Sequence, residues 1–358
     1  MNRMRQPRAG RLCVLVAVAG LVFLAAMVST PAAAGVVVDS AGRSVTVPDR
    51  ISRVLAAGPP ASALMTILAP EKLAGWIRRP RPEDLDYLPK AVRDLPEIGR
   101  LTGRGNTANL ETVLAARPDL ILDFGTVSDT YVSLADRVQA QTGIPYLLID
   151  GRFDATAAAL RLLGPVLGVS PRAEMLAARV EAMFARAAAA SAGNKTKPRV
   201  YLARRPDGLE TGYAGSINTE IIEKAGGINV ARGGSMKGIG NVSMEQILVW
   251  NPDTVITADP AFANGVRGAS GWAGIDAVKT GRVFLSPRVP FGWIDDPPSL
   301  NRILGLAWLS RIFHPAAAGP DTGSDIGAEI RELHELLYQI TLTDEAAARL
   351  LPKAAPQQ

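Results

Sequence analysis

The chain has 358 residues, of which 47% are apolar and 20% are charged, with 34 glycines and 26 prolines. This composition is that of a globular protein, and the length suits two domains of ordinary size, so a fibrous or wholly disordered chain is excluded. The formal net charge is +5, and four of the arginines lie within the first eleven residues.

The first 34 residues have the pattern of a cleavable secretory signal peptide. The arginines precede an apolar run over residues 12–28, and Ala32-Ala33-Ala34 offers small residues for cleavage near Ala34. A membrane anchor would need about 20 apolar residues followed by a stop signal, and this apolar run is shorter. Removal of this segment, which has four arginines and no acidic residue, lowers the net charge from +5 to +1 and removes Cys13. We therefore expect a soluble periplasmic protein without disulfides, thiolate chemistry or affinity for nucleic acid.

Residues 35–169 are predicted to form an N-terminal α/β lobe. A hairpin over residues 35–47 is followed by alternating strands and helices, which favours a mostly parallel sheet. The strands are predicted at 53–57, 73–76, 120–122 and 146–149, and the helices at 61–68, after Asn109, at 129–142 and at 155–163. A proline-rich, charged segment over residues 78–96 has no clear periodicity.

One long helix is predicted over residues 170–193. Ser170 is a candidate N-cap, Pro171 suits the first turn, Glu174 faces the positive helix end, and Gly193 is a candidate C-cap. Apolar residues recur along it at helical spacing, so one of its faces is expected to be buried. At ~1.5 Å per residue such a helix spans the width of a small domain.

A second α/β lobe is predicted over residues 194–315, and a C-terminal helical tail over residues 316–358. The strands of this lobe are expected at 199–203, 254–256 and 283–285, and its helices at 217–225, after Ser243 and at 299–313. A glycine-rich loop covers residues 233–240, and the tail has helical patterns at 329–340 and after Thr343.

The segments on either side of the long helix repeat each other. Residues 110–122 and residues 244–256 share Glu, Leu, Pro and Asp at one fixed offset, with Val or Ile between them. Each reads as a capped short helix, a Pro-Asp turn and a buried strand. The repeat indicates an α/β protein of two similar lobes with mostly parallel sheets, joined by one long rigid helix.

Motifs of catalysis and of cofactor binding are missing. The sequence has no G-x-S-x-G elbow, no Walker loop and no G-x-G-x-x-G after a strand. Its two histidines, His314 and His334, lack metal-ligand spacing, and a capping or surface role is expected for both. We therefore expect no cofactor and no resident metal. An exported enzyme that uses Asp295 and Asp296 as paired carboxylates is the alternative, although adjacent residues seldom converge on one substrate.

An exported two-lobe protein without catalytic groups suggests a binding protein whose ligand lies between the lobes, beyond the carboxyl ends of the strands. Arginines are abundant at those predicted strand ends, and converging guanidinium groups favour an anionic ligand rich in carboxylate or catecholate. Tryptophans and tyrosines are candidates for its walls. The alternative is that the arginines are solvated and the aromatic residues belong to the core. The residues predicted to bind ligand are Gly58, Trp76, Arg78, Arg104, Arg205, Tyr213, Arg288 and Trp293.

Six stretches in their order carry a resemblance to a known family: residues 53–55, 70–76, 109–121, the long helix, 242–253 and 281–283. Together they resemble the class III periplasmic substrate-binding proteins of ABC importers, over nearly all of the chain after residue 34. Members of that family carry iron–siderophore, haem, cobalamin or, occasionally, oxyanion cargo. The resemblance implies that the long helix restricts the lobes to a small closure. It also implies that Glu111 and Glu245, one on each lobe, pair with arginines of the membrane permease.

The cargo is predicted from the charge of the cleft. Arginines suit a ferric siderophore with net negative charge, and they equally suit an oxyanion such as molybdate, to which the helix N-termini after Gly58 and near Ser243 add N–H donors. Histidine-ligated haem is disfavoured, while a tyrosine ligand such as Tyr213 remains open. The prediction is therefore a monomeric solute-binding protein for an iron chelate, with an oxyanion or haem as the alternative cargo.

Overall fold

The computed structural model describes residues 35–103, 105, 108–193, 196–232, 237–315 and 326–351. Its strands are β1 Gly35–Val38, β2 Ser44–Val47, β3 Val54–Ala56, β4 Leu120–Gly125, β5 Tyr146–Asp150, β6 Arg199–Ala203, β7 Glu210–Gly212, β8 Ile228–Asn229, β9 Ile239–Asn241, β10 Thr254–Thr257 and β11 Val283–Leu285. Its α-helices are α1 Pro59–Leu68, α2 Lys90–Arg93, α3 Leu110–Ala115, α4 Asp129–Thr142, α5 Thr156–Leu167, α6 Ser170–Ala192, α7 Glu220–Lys224, α8 Met244–Trp250, α9 Pro260–Gly265, α10 Asp276–Lys279, α11 Arg302–Phe313, α12 Ile326–Tyr338 and α13 Asp344–Leu350. Short 3₁₀ turns cover Pro70–Lys72, Pro82–Tyr87, Phe153–Ala155 and Val266–Gly268.

A parallel sheet in the order β3-β4-β5 forms the centre of the N-terminal lobe. Its strands are buried on both faces, because successive side chains alternate between two apolar clusters. Val54 and Ala56 belong to the cluster that contains α1, whereas Leu55 belongs to the cluster that contains Val113 of α3 and Ala135 of α4. The predicted hairpin is confirmed, since β1 and β2 pair in antiparallel register.

The C-terminal lobe is built around a second parallel sheet, in the order β11-β10-β6-β8. Here too the side chains of one strand alternate, with Tyr201 and Ala203 in one cluster and Val200 and Leu202 in the other. β7 and β9 form a separate antiparallel pair that the sequence pattern did not predict. The two parallel sheets are distinct, so the predicted α/β architecture of two lobes is confirmed.

Helix α6 confirms the predicted connecting helix, with 23 residues and a length of about 35 Å. Its predicted ends are wrong in detail. Ser170 is the first helical residue and Val169 takes the cap position without a side-chain cap bond, while Gly193 has a φ of −74° rather than a left-handed value. Glu174 lies beyond the first turn, and its carboxylate accepts hydrogen bonds from Arg161 of α5.

The predicted strand at residues 73–76 is also wrong. Leu73 forms one isolated parallel bridge with Val54, and Trp76 forms another with Glu97. The 3₁₀ turn over Pro70–Lys72 precedes them, and Glu97, the partner of Trp76, belongs to no strand of the sheet. The segment therefore lies along the sheet without forming a ladder.

The C-terminal helices pack back onto the N-terminal lobe. α12 contacts α1 and α11, and the Tyr87 hydroxyl donates to the Ala346 carbonyl oxygen at 3.5 Å. Arg172 of α6 donates to the carbonyl oxygen of Ile67 at the end of α1 and to that of Leu337 at the end of α12, at 2.6 and 2.8 Å. One guanidinium thus satisfies carbonyl groups that two helices leave unpaired at their C-termini. Within the described residues, no helix is long and apolar enough to cross a bilayer.

Candidate functional site

A cavity of about 1000 Å³ lies between the two lobes, at the carboxyl ends of their parallel strands. The N-terminal lobe contributes Pro59, which follows β3, and the segment Trp76 to Arg81. The C-terminal lobe contributes residues that follow β6, β10 and β11: Arg204, Arg205 and Pro206, Ala258 and Asp259, and Ser286 and Arg288. This is the place where α/β folds bind ligands, because loops at strand ends vary freely while the sheet holds their positions.

Arginine is the dominant charged residue of the cavity wall. The arginines that line it are Arg78, Arg79, Arg81, Arg100, Arg204, Arg205 and Arg288. Three of them are engaged by acidic neighbours. Arg81 binds Asp84 at 2.7 Å, and this hydrogen bond raises the pKa of Arg81 above its usual value. Arg204 and Arg205 both bind Glu210, at 3.0 and 3.4 Å.

Arg78 and Arg288 differ from these three. Both side chains are exposed, and neither has an ion-pair or hydrogen-bond partner among the residues that the structure describes. Arg79, next to Arg78, is also exposed and has no side-chain partner there, so uncompensated positive charges of both lobes face the same cavity. Such an arrangement attracts a ligand with negative charge on more than one side.

Asp295 and Asp296 are adjacent acidic residues of the cavity wall. Asp295 is buried, forms an ion pair with Arg204 and accepts a hydrogen bond from the Asn218 amide at 2.6 Å. Asp296 is exposed, and its backbone N–H donates to an Asp295 carboxylate oxygen at 2.8 Å. The two adjacent carboxylates therefore lie in different surroundings, one neutralised by an arginine and one in solvent.

Of the predicted ligand-binding residues, Trp76, Arg78, Arg205 and Arg288 line the cavity together. The buried Trp76 ring is fixed by a 2.7 Å hydrogen bond from its indole N–H to the Val92 carbonyl oxygen. Its ring also contacts Phe291, with 6.4 Å between the centroids. Phe291 lines the cavity as well but was not predicted; its place in the loop after β11, between Arg288 and Trp293, was the available signal.

Tyr213 and Trp293 are placed in the protein core instead. Tyr213 is buried in the apolar cluster of the C-terminal lobe, with its hydroxyl 3.4 Å from the Asn241 carbonyl oxygen. Trp293 is fully buried, and its indole N–H donates to Val289 at 3.2 Å. Neither residue is among those that line the cavity. Any contact of these two with ligand remains a prediction.

Gly58 is not among the residues that line the cavity, but it directly precedes one of them, Pro59. Gly58 is the N-cap residue of α1, and a side chain there would overlap the Thr102 hydroxyl, so Thr102 would have to shift to accommodate it. The following Pro59 is the residue that reaches the cavity.

Arg104, also predicted to bind ligand, lies outside the described residues. Arg81 and Arg100 line the cavity but were not predicted, because the segments around them show no periodicity that places them on an element.

The two histidines lie in the core, and the predicted surface role is wrong. The His314 imidazole Nε2 lies 2.7 Å from the carbonyl oxygen of Ala225, the residue that ends α7, so the capping alternative fits this residue. His334 is buried in α12, and burial lowers its pKa to about 4. Among the described residues, no group of three His, Cys, Asp or Glu side chains is arranged to hold a metal ion.

The repeated helices α3 and α8 place a glutamate at equivalent positions. Asn109 accepts a hydrogen bond from the Thr112 N–H and Ser243 accepts one from the Gln246 N–H, at 2.8 and 3.2 Å, so both predicted N-caps are confirmed. Glu111 and Glu245 lie in the first turns of these helices and are exposed. Hydrogen bonds from its own N–H and from Ser243 lower the pKa of Glu245, which is therefore anionic at neutral pH.

The fold and the cavity define an α/β protein of two lobes with a cavity between them that is large enough for a small solute. Residues 83–290, more than half of the chain, match the Periplasmic binding protein family, and the chain belongs to this family. Its members include solute-binding components of ABC importers.

Two relatives with named solutes and one solved structure are similar to this chain. The molybdate-binding protein MolA of Haemophilus influenzae is 26% identical over 345 residues, which cover 88% of this chain and 93% of MolA. A cobalamin-binding protein of Halobacterium salinarum is 28% identical over 230 residues, which cover 61% of this chain and 57% of the relative. The solved structure of an ABC transporter solute binding protein from Sulfurospirillum deleyianum has a TM-score of 0.78 and 27% identity, and covers 88% of this chain and 98% of its own.

Proposed function

We propose that this protein binds a small anionic solute between its lobes and delivers it to the permease of an ABC importer, and that the solute is an iron(III) chelate of the siderophore type. The observation that carries the proposal is the pair of uncompensated arginines, Arg78 and Arg288, that face one cavity from opposite lobes. An anion that binds both guanidinium groups would also hold the lobes together, which couples binding to closure.

The size of the cavity favours a chelate over a bare oxyanion. Sites for small organic ligands measure roughly 300–1,000 Å³, and the cavity of about 1000 Å³ lies at the upper end of that range. A four-oxygen anion would fill only a small part of it. Apolar wall residues such as Trp76 and Phe291 also suit the organic part of a chelate.

An oxyanion such as molybdate is the second candidate, because MolA is similar over most of the chain. Ser62 adds a structural reason. It lines the cavity in the first turn of α1, and its buried hydroxyl has no hydrogen-bond partner within the described part of the chain. A hydroxyl at a helix N-terminus, where the helix dipole favours negative charge, can donate to an oxyanion. Haem has less support, because His314, His334 and Tyr213 lie away from the cavity wall.

Thermal unfolding of the purified protein with a panel of solutes tests the cargo. The panel contains ferric catecholate, hydroxamate and carboxylate siderophores, molybdate, haemin and cobalamin. We expect a ferric siderophore to raise Tm, since a ligand at 100 times its Kd adds about 2.7 kcal/mol to the free energy of unfolding. Stabilisation by molybdate alone would assign the cavity to an oxyanion. Stabilisation by none of the anions would contradict the proposal of anionic cargo.

We further propose that Glu111 and Glu245 dock the protein onto the permease. Both are exposed carboxylates at equivalent places on the two lobes, so a partner can contact both lobes at once and sense their closure. Charge reversal in Glu111→Lys and Glu245→Lys should abolish solute uptake by cells and leave solute affinity intact. Loss of affinity in the purified variants would contradict the docking role.

Glu345 provides a matched control for these reversals. It also lies in the first turn of a capped helix, and hydrogen bonds from its own N–H and from Thr343 lower its pKa as they do for Glu245. Glu345→Lys should therefore reproduce any local effect of the reversal on the helix and leave uptake unchanged. Equal loss of uptake in Glu345→Lys would show that the reversals act through the helix rather than through docking.

The last part of the proposed function concerns the export of the protein and the division of its chain into lobes. We propose that residues 1–34 are removed during export and that the mature protein is a periplasmic monomer. N-terminal sequencing of the exported protein should begin near Gly35, and light scattering should give the mass of one chain. The proposed lobes span residues 35–169 and 194–315, with residues 170–193 as the connection and residues 316–358 as the C-terminal tail.

A further inference from the structure

Exposed apolar side chains concentrate on the two repeated helices. In the part of the chain that the structure describes, six large aliphatic side chains are exposed, and three of them lie on α3 and α8. Leu114 of α3 is 49% exposed and Leu248 of α8 is 44% exposed. Each follows the glutamate of its helix by three residues, so acid and leucine lie on the same side of the helix. Val249, at 79% exposed, extends the surface of α8.

The two helices are also held to their lobes in the same way. The Arg53 guanidinium donates to the Ala116 carbonyl oxygen just after α3, and the Arg199 guanidinium donates to the Trp250 carbonyl oxygen at the end of α8, both at 2.6 Å. In each lobe the aspartate that follows the turn proline accepts a hydrogen bond from the backbone N–H of that arginine. The short helices are therefore fixed on their sheets, and their glutamate–leucine pairs are presented in equivalent local surroundings.

We propose that Leu114 and Leu248 form, with Glu111 and Glu245, one composite docking surface for the membrane permease, in which each leucine enters an apolar recess beside a cationic side chain of the partner. This inference rests on the proposed docking of Glu111 and Glu245. Two equivalent surfaces on one chain fit a partner that offers two copies of one receiving site. The leucines supply the apolar contact that a solvent-exposed ion pair lacks, because such a pair contributes little to affinity alone.

Charge complementarity favours a cationic partner, which the proposed function takes to be the permease, over a second copy of this chain. A symmetric contact between two copies would bring the same surface patch against itself and would place glutamate next to glutamate. Like charges in an interface oppose binding. A cationic partner with an apolar recess satisfies both members of each pair.

Competition binding to spheroplasts of the source organism, whose outward membrane face is accessible, tests this surface. Fluorescently labelled wild-type protein is displaced by unlabelled wild type, Leu114→Ala, Leu248→Ala, Glu111→Lys or Glu245→Lys. We expect each leucine variant to compete about tenfold more weakly than wild type, as for removal of a central apolar contact. Met175→Ala is the control, because Met175 of α6 is 47% exposed and lies on neither helix, and it should compete like wild type.

The outcomes distinguish the contribution of the leucines from docking through the glutamates. If the glutamate reversals weaken binding and the leucine variants do not, the leucines are excluded from the surface while docking through the glutamates stands. If wild type shows no saturable binding, or if the reversals have no effect, both proposals fail. Binding to protein-free liposomes, or a wild-type dimer in ultracentrifugation that the leucine variants dissociate, would overturn the permease as the partner.

Discussion

The guanidinium group of Arg302 in α11 donates a 2.9 Å hydrogen bond to the carbonyl oxygen of Gly151, and this bond joins the two lobes. The same side chain donates to the Ile217 carbonyl oxygen at 2.6 Å and lies 4.4 Å from the centroid of the Phe153 ring. Burial lowers the pKa of Arg302 to about 10, so the group stays charged at neutral pH. Glu220, 3.8 Å away, supplies the nearest opposite charge.

Replacing this buried cation should weaken the contact between the lobes. In Arg302→Met the carbonyl groups of Gly151 and Ile217 lose their donor while the buried volume is largely kept. We expect the free energy of unfolding to fall by about 3–5 kcal/mol in urea titrations. Arg161→Met is the control, because its ion pairs with Glu174 and Glu181 are exposed and contribute little. Equal stability of the two variants would refute the role of Arg302.

Asp123 should give the protein a distinctive dependence of stability on pH. Burial raises the pKa of Asp123 to about 6, even though hydrogen bonds from Tyr146 and Thr102 act in the opposite direction. The folded state then binds the proton more tightly than the unfolded state, so this residue destabilises the fold as pH rises from about 4 to about 6. In Asp123→Asn that contribution is absent.

The measurement is the free energy of unfolding of both proteins across this pH range. We expect the stability of Asp123→Asn relative to wild type to rise by about 2 kcal/mol between pH 4 and pH 6, since each pKa unit is worth at most about 1.4 kcal/mol and part of the change falls outside this range. The difference between the two proteins cancels the opposite contribution of His334, whose lowered pKa makes the fold less stable as pH falls from 6.5 to about 4. A difference that does not change with pH would contradict a raised pKa of Asp123.

The cavity arginines should divide into two groups on substitution. Arg78→Ala and Arg288→Ala remove uncompensated charges, so we expect wild-type Tm without ligand and about tenfold weaker binding of the anionic solute that the thermal panel identifies. Arg204→Ala leaves the buried carboxylate of Asp295 without its cation, and should lower Tm even without ligand. Arg137→Ala, on the exposed side of α4, is the control for net charge. Unchanged titrations of Arg78→Ala or Arg288→Ala would remove that residue from the site.

A side chain at Gly58 should lower the stability of the fold. In Gly58→Ala the new methyl group would overlap the Thr102 hydroxyl, and the shift of α1 or of the Thr102 loop should lower the free energy of unfolding by about 1–3 kcal/mol. Gly125→Ala is the control, because a methyl group there meets no atom within 4 Å among the described residues. Equal Tm values for the two variants would show that the Thr102 loop yields freely.

The amino-acid sequence by itself determined the elements whose signals are local. The alternation of strands and helices, the caps at Asn109 and Ser243, and the length of α6 follow from neighbouring residues, and the structure confirms them. The repeated glutamates were visible for the same reason, since capping and helical spacing act within one or two turns.

The tertiary structure alone decided which charges remain available. Arg78 and Arg205 look alike in sequence, yet Arg205 meets Glu210 while Arg78 has no partner among the described residues. The contacts of Arg302 with Gly151 and of Arg172 with Leu337 join residues more than 150 positions apart. No local pattern encodes such contacts, because they exist only after the sheets and α6 have brought distant segments together. The same folding step buried Tyr213 and Trp293 and left Trp76 at the cavity wall.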